Sequence, residues 1–126
     1  MILIFGGAYQ GKLDYALKRF NWTENDVYRC DDGNISNPAG KKIIYEIDKW
    51  FLALIKNNLD IEAALNKFIN ENMDAVVICN DISCGVVPVE KLQRAWREAT
   101  GRSLAVLSGL ASEAIRLFCG IPSKIK

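Results

Sequence analysis

Seven residues near the start of the chain, Gly6-Gly7-Ala8-Tyr9-Gln10-Gly11-Lys12, have the types and spacing to hold a phosphate. They follow the apolar run Met1-Ile2-Leu3-Ile4-Phe5 and precede a stretch of helical periodicity. The segment therefore reads as a strand, a glycine-rich turn and a lysine at the mouth of a helix. The spacing G-x-x-x-x-G-K is that of a P-loop, in which glycines let the backbone wrap until several N–H groups face one phosphate. Lys12 adds a mobile cation, and the helix presents its positive end to the same spot. Gly6, Gly7, Ala8, Tyr9, Gln10, Gly11, Lys12 and Leu13 are candidate phosphate- or nucleotide-binding positions, with Lys12 also a candidate catalytic residue. After the lysine a P-loop places a Ser or Thr whose hydroxyl holds Mg²⁺. This chain has Leu13 there. With Ala16, Leu17 and Phe20 it recurs at i, i+3, i+4 and i+7, so it also suits the start of a buried helical stripe. A tight strand-to-helix turn without a nucleotide is the alternative for the whole loop.

The other groups that could do chemistry are polar and acidic. Asn80 and Asp81 close the apolar run 75–79 and are candidates for the same crevice, Asp81 as a catalytic or metal-binding carboxylate. A turn-capping role for Asp81 weighs about equally. Glu46 is a second candidate metal ligand if residues 42–47 form a strand that ends at it. The chain has no histidine. That excludes Ser-His-Asp and Cys-His nucleophiles and a histidine that carries a phosphoryl or nucleotidyl group. Catalysis must use carboxylates, lysine, a bound metal and positioning. Cys30, Cys79, Cys84 and Cys119 form no C-x-x-C pair, which argues against zinc and against a disulfide framework. Cys79 and Cys119 lie in apolar runs and read as core residues, while Cys84 lies in a loop.

These residues need elements to position them. Residues 2–5 read as a first strand and 12–20 as a first helix. A short strand falls at 26–30, and residues 31–40 are dense in turn formers. Ile43, Ile44, Ile47, Trp50, Phe51, Leu54 and Ile55 follow helical spacing, which predicts a helix over 41–57. The alternative is a brief strand over 42–47 and then a shorter helix. Asp60 caps a helix with the stripe Ile61, Ala64, Leu65, Phe68 and Ile69. The run 75–79 is a central parallel strand by its β-branched composition. Pro88 opens a helix over 89–100 with Leu92, Ala95, Trp96 and Ala99 inward, and Gly101 closes it. A further helix over 103–112, a strand over 114–119 and a turn into the tail 123–126 complete the chain. Alternating strands and helices predict one α/β domain over residues 1–126, a three-layer α/β/α sandwich with a mostly parallel sheet.

Half the residues are hydrophobic, a quarter are charged and the net charge is +1. Bulk electrostatics therefore offers nothing to nucleic acid. No apolar stretch reaches the roughly 20 residues that a membrane span needs. The expected setting is cytoplasmic. Trp22, Trp50, Trp96 and the apolar stretch 43–55 offer much apolar surface, which suggests a homo-oligomer.

The second half adds a family resemblance. Asn80-Asp81-Ile82-Ser83-Cys84-Gly85-Val86-Val87-Pro88 resembles the N-E-x-G-x-G-x-V-P segment of the adenosylcobinamide kinase/adenosylcobinamide-phosphate guanylyltransferase family. Trp96-Arg97-Glu98-Ala99-Thr100-Gly101-Arg102 is similar to its aromatic-R-D-x-x-G-R. Gly120-Ile121-Pro122-Ser123-Lys124-Ile125-Lys126 is similar to its closing G-x-P-x-x-I-K, and the start resembles its G-G-A-R-S-G-K-S. The motifs cover residues 1–20 and 74–126 well and the middle poorly. The resemblance implies a P-loop NTPase-like fold in homo-oligomers, ATP or GTP as substrate, Mg²⁺, and transfer of a phosphoryl group to a cobinamide hydroxyl in cobalamin biosynthesis. It also implies that Arg102 is a nucleotide or intersubunit contact. The departures bear on function. Leu13 replaces the family serine, Tyr9-Gln10 its Arg-Ser, and Leu104-Ala105 a polar Asn-Gln. The histidine that accepts the nucleotide in the family's second step has no counterpart. The expectation is a kinase-type phosphotransferase without the guanylyltransferase step. The rival reading is a non-catalytic scaffold of the same fold that binds nucleotide or phosphate.

Overall fold

A computed structural model describes residues 1–82 and 89–126. Ser83, Cys84, Gly85, Val86, Val87 and Pro88 lie outside the described residues, and with them the expected loop position of Cys84 and the helix start at Pro88. The elements run β1 (Ile2–Gly6), α1 (Lys12–Phe20), a 3₁₀ turn (Glu24–Asp26), β2 (Val27–Arg29), β3 (Ile43–Tyr45) and α2 (Ile47–Lys56). They continue with α3 (Ile61–Glu71), β4 (Val76–Asn80), α4 (Lys91–Leu110), β5 (Glu113–Phe118) and β6 (Ile121–Lys124). The sheet order is β2-β3-β4-β1-β5-β6, parallel throughout except for β6, which pairs antiparallel with β5.

Alternation along the buried strands builds three layers. Leu3, Ile44, Val77 and Cys79 face one side and pack with Trp50, Phe51 and Leu54 of α2, Phe68 of α3 and Leu107 of α4. Their strand neighbours Ile4, Ile43, Val76 and Ile78 face the other side, where they meet Ala16 of α1. Successive side chains of a strand point to opposite faces, so strands buried on both faces read as unbroken apolar runs. The result is an α/β/α sandwich.

Five expectations need correction. Residues 41–57 are not one helix: Ile43 and Ile44 are both fully buried but on opposite faces, which only an extended strand allows. Two adjacent isoleucines fit either period, and the helical stripe proper begins at Ile47. Gly101 does not end a helix, because α4 runs unbroken through it. Thr100, Ser103, Leu104 and Leu107 form one buried stripe across the glycine, and that packing outweighs its low propensity. Leu92 is exposed rather than inward. Cys119 is exposed at positive φ in the turn after β5, and the tail forms the edge strand β6.

Register brings the site together. Ile4 pairs with Ile78 and Gly6 with Asn80, so β1 and β4 end side by side. Ile44 pairs with Val77, which brings Glu46 beside the end of β4. β1 lies between β4 and β5, while the chain leaving it through α1 re-enters the sheet at its far edge. Ligands of open α/β sheets bind at the carboxyl ends of strands where the order reverses in this way.

Candidate functional site

The loop between β1 and α1 is held in shape from three sides. Gly6 has a φ of 151°, and a Cβ built there would stand 2.4 Å from the Leu117 carbonyl oxygen of β5. Only glycine fits this close approach. The Asp81 amide donates to the Gly6 carbonyl at 2.8 Å, which ties the loop to the end of β4. On the other flank the Gly120 amide donates to the Gln10 carbonyl at 3.0 Å, and the Cys119 amide donates to Gln10 Oε1. Gln10 thus serves as a latch to the β5–β6 turn. Tyr9, at a φ of 60°, stands fully exposed at the crest.

Gly11 adopts a left-handed conformation (φ 84°) and starts α1. The helical ladder opens with the Tyr15 amide donating to the Gly11 carbonyl at 3.0 Å. The amides of Lys12, Leu13 and Asp14 precede that bond and are the open donors of the helix end. Such donors and the helix dipole favour an anion. Lys12 is only 4% exposed, and its Nζ donates to the Gly7 carbonyl at 2.6 Å, so the side chain folds back beneath the loop and braces its two ends. Burial lowers the Lys12 pKa, and the nearby Asp48, Cys79 and Glu46 partly restore it. A partly desolvated ammonium of this kind gains most from a bound anion.

A cavity of about 780 Å³ opens beside the loop. Its wall includes Lys12, Leu13 and Asp14 on one side and Arg29, Tyr45, Glu46, Lys49 and Asn80 on the other. Glu46 sits between β3 and α2 at a φ of 58°, a left-handed conformation uncommon for glutamate. It accepts from Asn80 Nδ2 at 3.2 Å and pairs with Lys49 at 3.2 Å. Arg29 pairs with Glu24 at 2.8 Å and lies 5.2 Å from the Tyr45 ring centre. Asp48, only 2% exposed, accepts from the Asn80 amide at 3.0 Å and from Asn80 Nδ2 at 3.3 Å. Burial raises the Asp48 pKa against the hydrogen bonds from Asn80, and Glu46 raises it further. The same burial pushes the Cys30 thiol up to about 12, with Asp48 and Glu46 adding to it, so Cys30 is no nucleophile.

The structure therefore brings loop residues 8–13, Glu46 and Asn80 to one cavity, with Gly6 and Gly7 outside its wall. Asp81 follows directly and is half-buried at the end of β4, but it is not part of the cavity wall. Arg102 lies elsewhere: it pairs with Glu98 at 3.6 Å along α4 and lines a groove between α3 and α4. Asp48, Arg29 and Lys49 escaped the sequence reading, since none stands in a motif. The strand reading of 42–47 was the signal that could have found Asp48, two residues beyond the strand-end Glu46. Among the described residues, no three His, Cys, Asp or Glu side chains gather closely enough to hold a metal ion alone.

Comparison with known families supplies the decisive observation. The family model for cobinamide kinase / cobinamide phosphate guanyltransferase matches residues 41–125, about two thirds of the chain. The chain belongs to this family. The match to the cobinamide kinase/guanyltransferase model includes the stretch 41–73, which the short motifs cover poorly. It begins after the glycine-rich loop, so the case for that loop rests on its own geometry. Membership carries a place in cobalamin biosynthesis of the kinase or transferase kind, with a nucleoside triphosphate and a cobinamide as the family's substrates. No curated protein matches the chain significantly. No helix among the described residues is long and apolar enough to cross a membrane.

Proposed function

We propose that the chain binds a nucleoside triphosphate, ATP or GTP, by its phosphates on the Gly6–Lys12 loop and transfers the terminal phosphoryl group to a cobinamide hydroxyl. In that reaction the bond from the terminal phosphorus to its bridging oxygen breaks. A bond to the acceptor oxygen forms, and the hydroxyl proton leaves to solvent or a nearby base. The observation that carries this reading is Lys12, braced beneath a glycine loop at a helix start and facing a cavity with Glu46 and Asn80. Phosphoryl transfer depends mostly on positioning and charge stabilisation, which these groups can supply. The donor set fits Mg²⁺ in the manner usual for nucleotide sites, with one or two carboxylates and the rest of the shell from phosphates and water. Glu46 would hold it, and Asp81 is the second candidate. Bound there, the ion would neutralise charge on the phosphates. The family's histidine-dependent nucleotide transfer is absent from this reading, because the chain has no histidine.

A non-catalytic scaffold is the second reading. Leu13 favours it: the side chain packs against the core beneath α1 and offers no hydroxyl to a metal. A thermal-shift screen of inorganic phosphate, ATP, GTP and cobinamide, with and without Mg²⁺, tests both. A ligand at 100 times its Kd should add about 2.7 kcal/mol of stability. Lys12→Ala should remove the ATP response. ATP binding without phosphoryl transfer to cobinamide would select the scaffold, and no response to phosphate or nucleotide would defeat both.

A further inference from the structure

Asp48 is a charged side chain with almost no exposure, and nothing in the proposed reaction yet uses it. A buried carboxylate persists only when its oxygens are satisfied. Both oxygens of Asp48 are engaged by one residue: Oδ1 accepts the Asn80 backbone amide and Oδ2 its side-chain Nδ2. Glu46 accepts from the same Nδ2. The Trp96 indole of α4 donates to the Asp48 carbonyl at 2.7 Å and fixes the backbone that carries the carboxylate. Thus β3, α2, β4 and α4 converge on a single amide.

The orientation of that amide follows from chemistry. An ionised carboxylate only accepts, so the end of Asn80 that meets both Glu46 and Asp48 must be the nitrogen. Its two hydrogens are then both used, one by each carboxylate. The carbonyl Oδ1 is what Asn80 can offer to the cavity it shares with Lys12. We propose that Asp48 is a positioning residue that locks Asn80 with its Oδ1 toward the phosphate cavity, where it accepts a hydrogen bond from the acceptor hydroxyl. The hydroxyl is thereby aimed at the terminal phosphorus. This assignment rests on the phosphotransferase reading of the cavity.

Asp48→Asn tests it. The new Nδ2 faces the Asn80 Nδ2 and two donors meet, while turning over would set the Asn80 Oδ1 against the Glu46 carboxylate, so the amide loses its single orientation. The kcat for phosphoryl transfer to cobinamide should fall tenfold or more, while the KM for ATP and the binding of inorganic phosphate hold, since Lys12 and the loop are unchanged. Asn80→Ala should lower kcat comparably, and the double variant should be no worse than Asn80→Ala, as expected for residues that act as a unit. Additive losses in the double variant, or equal losses of phosphate binding and turnover in Asp48→Asn, would overturn the assignment. Wild-type protein that transfers no phosphoryl group defeats the phosphotransferase reading instead. The lock is then read by NMR from the Asn80 side-chain amide. Slow hydrogen exchange that becomes fast in Asp48→Asn supports it, and exchange equal in the two proteins sinks it.

Discussion

At the residue scale, Lys12 and Leu13 stand side by side with opposite messages. Lys12 has its ammonium under the loop, and burial lowers its pKa from the ordinary 10.5. The folded protein therefore disfavours the charged form relative to the unfolded chain. Below its folded pKa the buried cation costs stability, and the cost fades as pH rises from that value to 10.5. Lys12→Met keeps the stem and removes the titration. Denaturant unfolding of the two proteins from pH 7.5 upward should show the wild type gaining on the variant as pH rises, and parallel curves would contradict this. Leu13 is half-buried, packs on the core and also lines the cavity. The packing agrees with the buried-stripe reading, and the place of Leu13 on the cavity wall leaves the phosphate-site reading as the proposal that the next variant tests. Leu13→Ser should cost less than the ~2–5 kcal/mol of a fully buried leucine. If the missing hydroxyl is what limits the site, the change should raise Mg²⁺-dependent ATP binding or turnover. A lower melting temperature with neither gain would strengthen the scaffold reading. The loop, Glu46 and Asn80 were legible because spacing and strand ends mark them. Asp48 was not, because a buried acid looks in sequence like any acid in the first turn of a helix.

At the scale of elements, most of the architecture could be read from periodicity, since β1, α1, α3 and β4 have uninterrupted patterns and clear ends. Asp60 caps α3 as expected, accepting from the Glu62 amide at 3.0 Å and the Ala63 amide at 3.5 Å. The misreadings fall where local signals and tertiary packing compete. A strand of three residues, β3, merges with the helix behind it because Ile43 and Ile44 fit both periods. Gly101 carries a stop signal that four buried neighbours on α4 override. Pro122 suggests a turn, yet an edge strand tolerates proline, and β6 is an edge. Helix α4 holds a second glycine, Gly109. A Cβ at Gly109 would meet nothing within 4 Å. Gly109→Ala should therefore stabilise the protein by about 0.5–1 kcal/mol, because glycine loses more freedom on folding. That corresponds to a rise in melting temperature of about 2–5 °C. A fall would mean that the end of α4 departs from helical geometry.

At the scale of the whole molecule, the apolar surface lies elsewhere than the sequence suggested. Trp50 and its apolar neighbours Ile43, Ile44, Ile47, Phe51 and Leu54 are core, and Trp22 and Trp96 are half-buried against the two clusters. The exposed apolar side chains that remain include Phe118, Ile121 and Ile125 at the β5–β6 edge, with Ile121 68% exposed, and Val106 and Leu110 on α4. Lys126 donates to the Ser108 and Gly109 carbonyls at 3.1 and 2.9 Å, which pins the tail across the end of α4 and joins these surfaces. Among the described residues, β6 pairs only with β5, so its outer edge keeps open backbone groups. An open edge with apolar flanks is a surface that proteins either blunt or use. Lys124 blunts it in part, pairing loosely at 4.0 Å with Glu113 of the neighbouring strand. The chain is accordingly expected to assemble with copies of itself through this edge, which also borders the Gln10 latch of the phosphate loop. Light scattering at tens of micromolar should give a multiple of 14.1 kDa. Ile121→Lys should shift the mass toward that of one chain while leaving the melting temperature of the isolated subunit within a few degrees, because the side chain is exposed and fills no core space. A monomer mass for the wild type would remove the assembly, and an oligomer that survives Ile121→Lys would move the interface to another face.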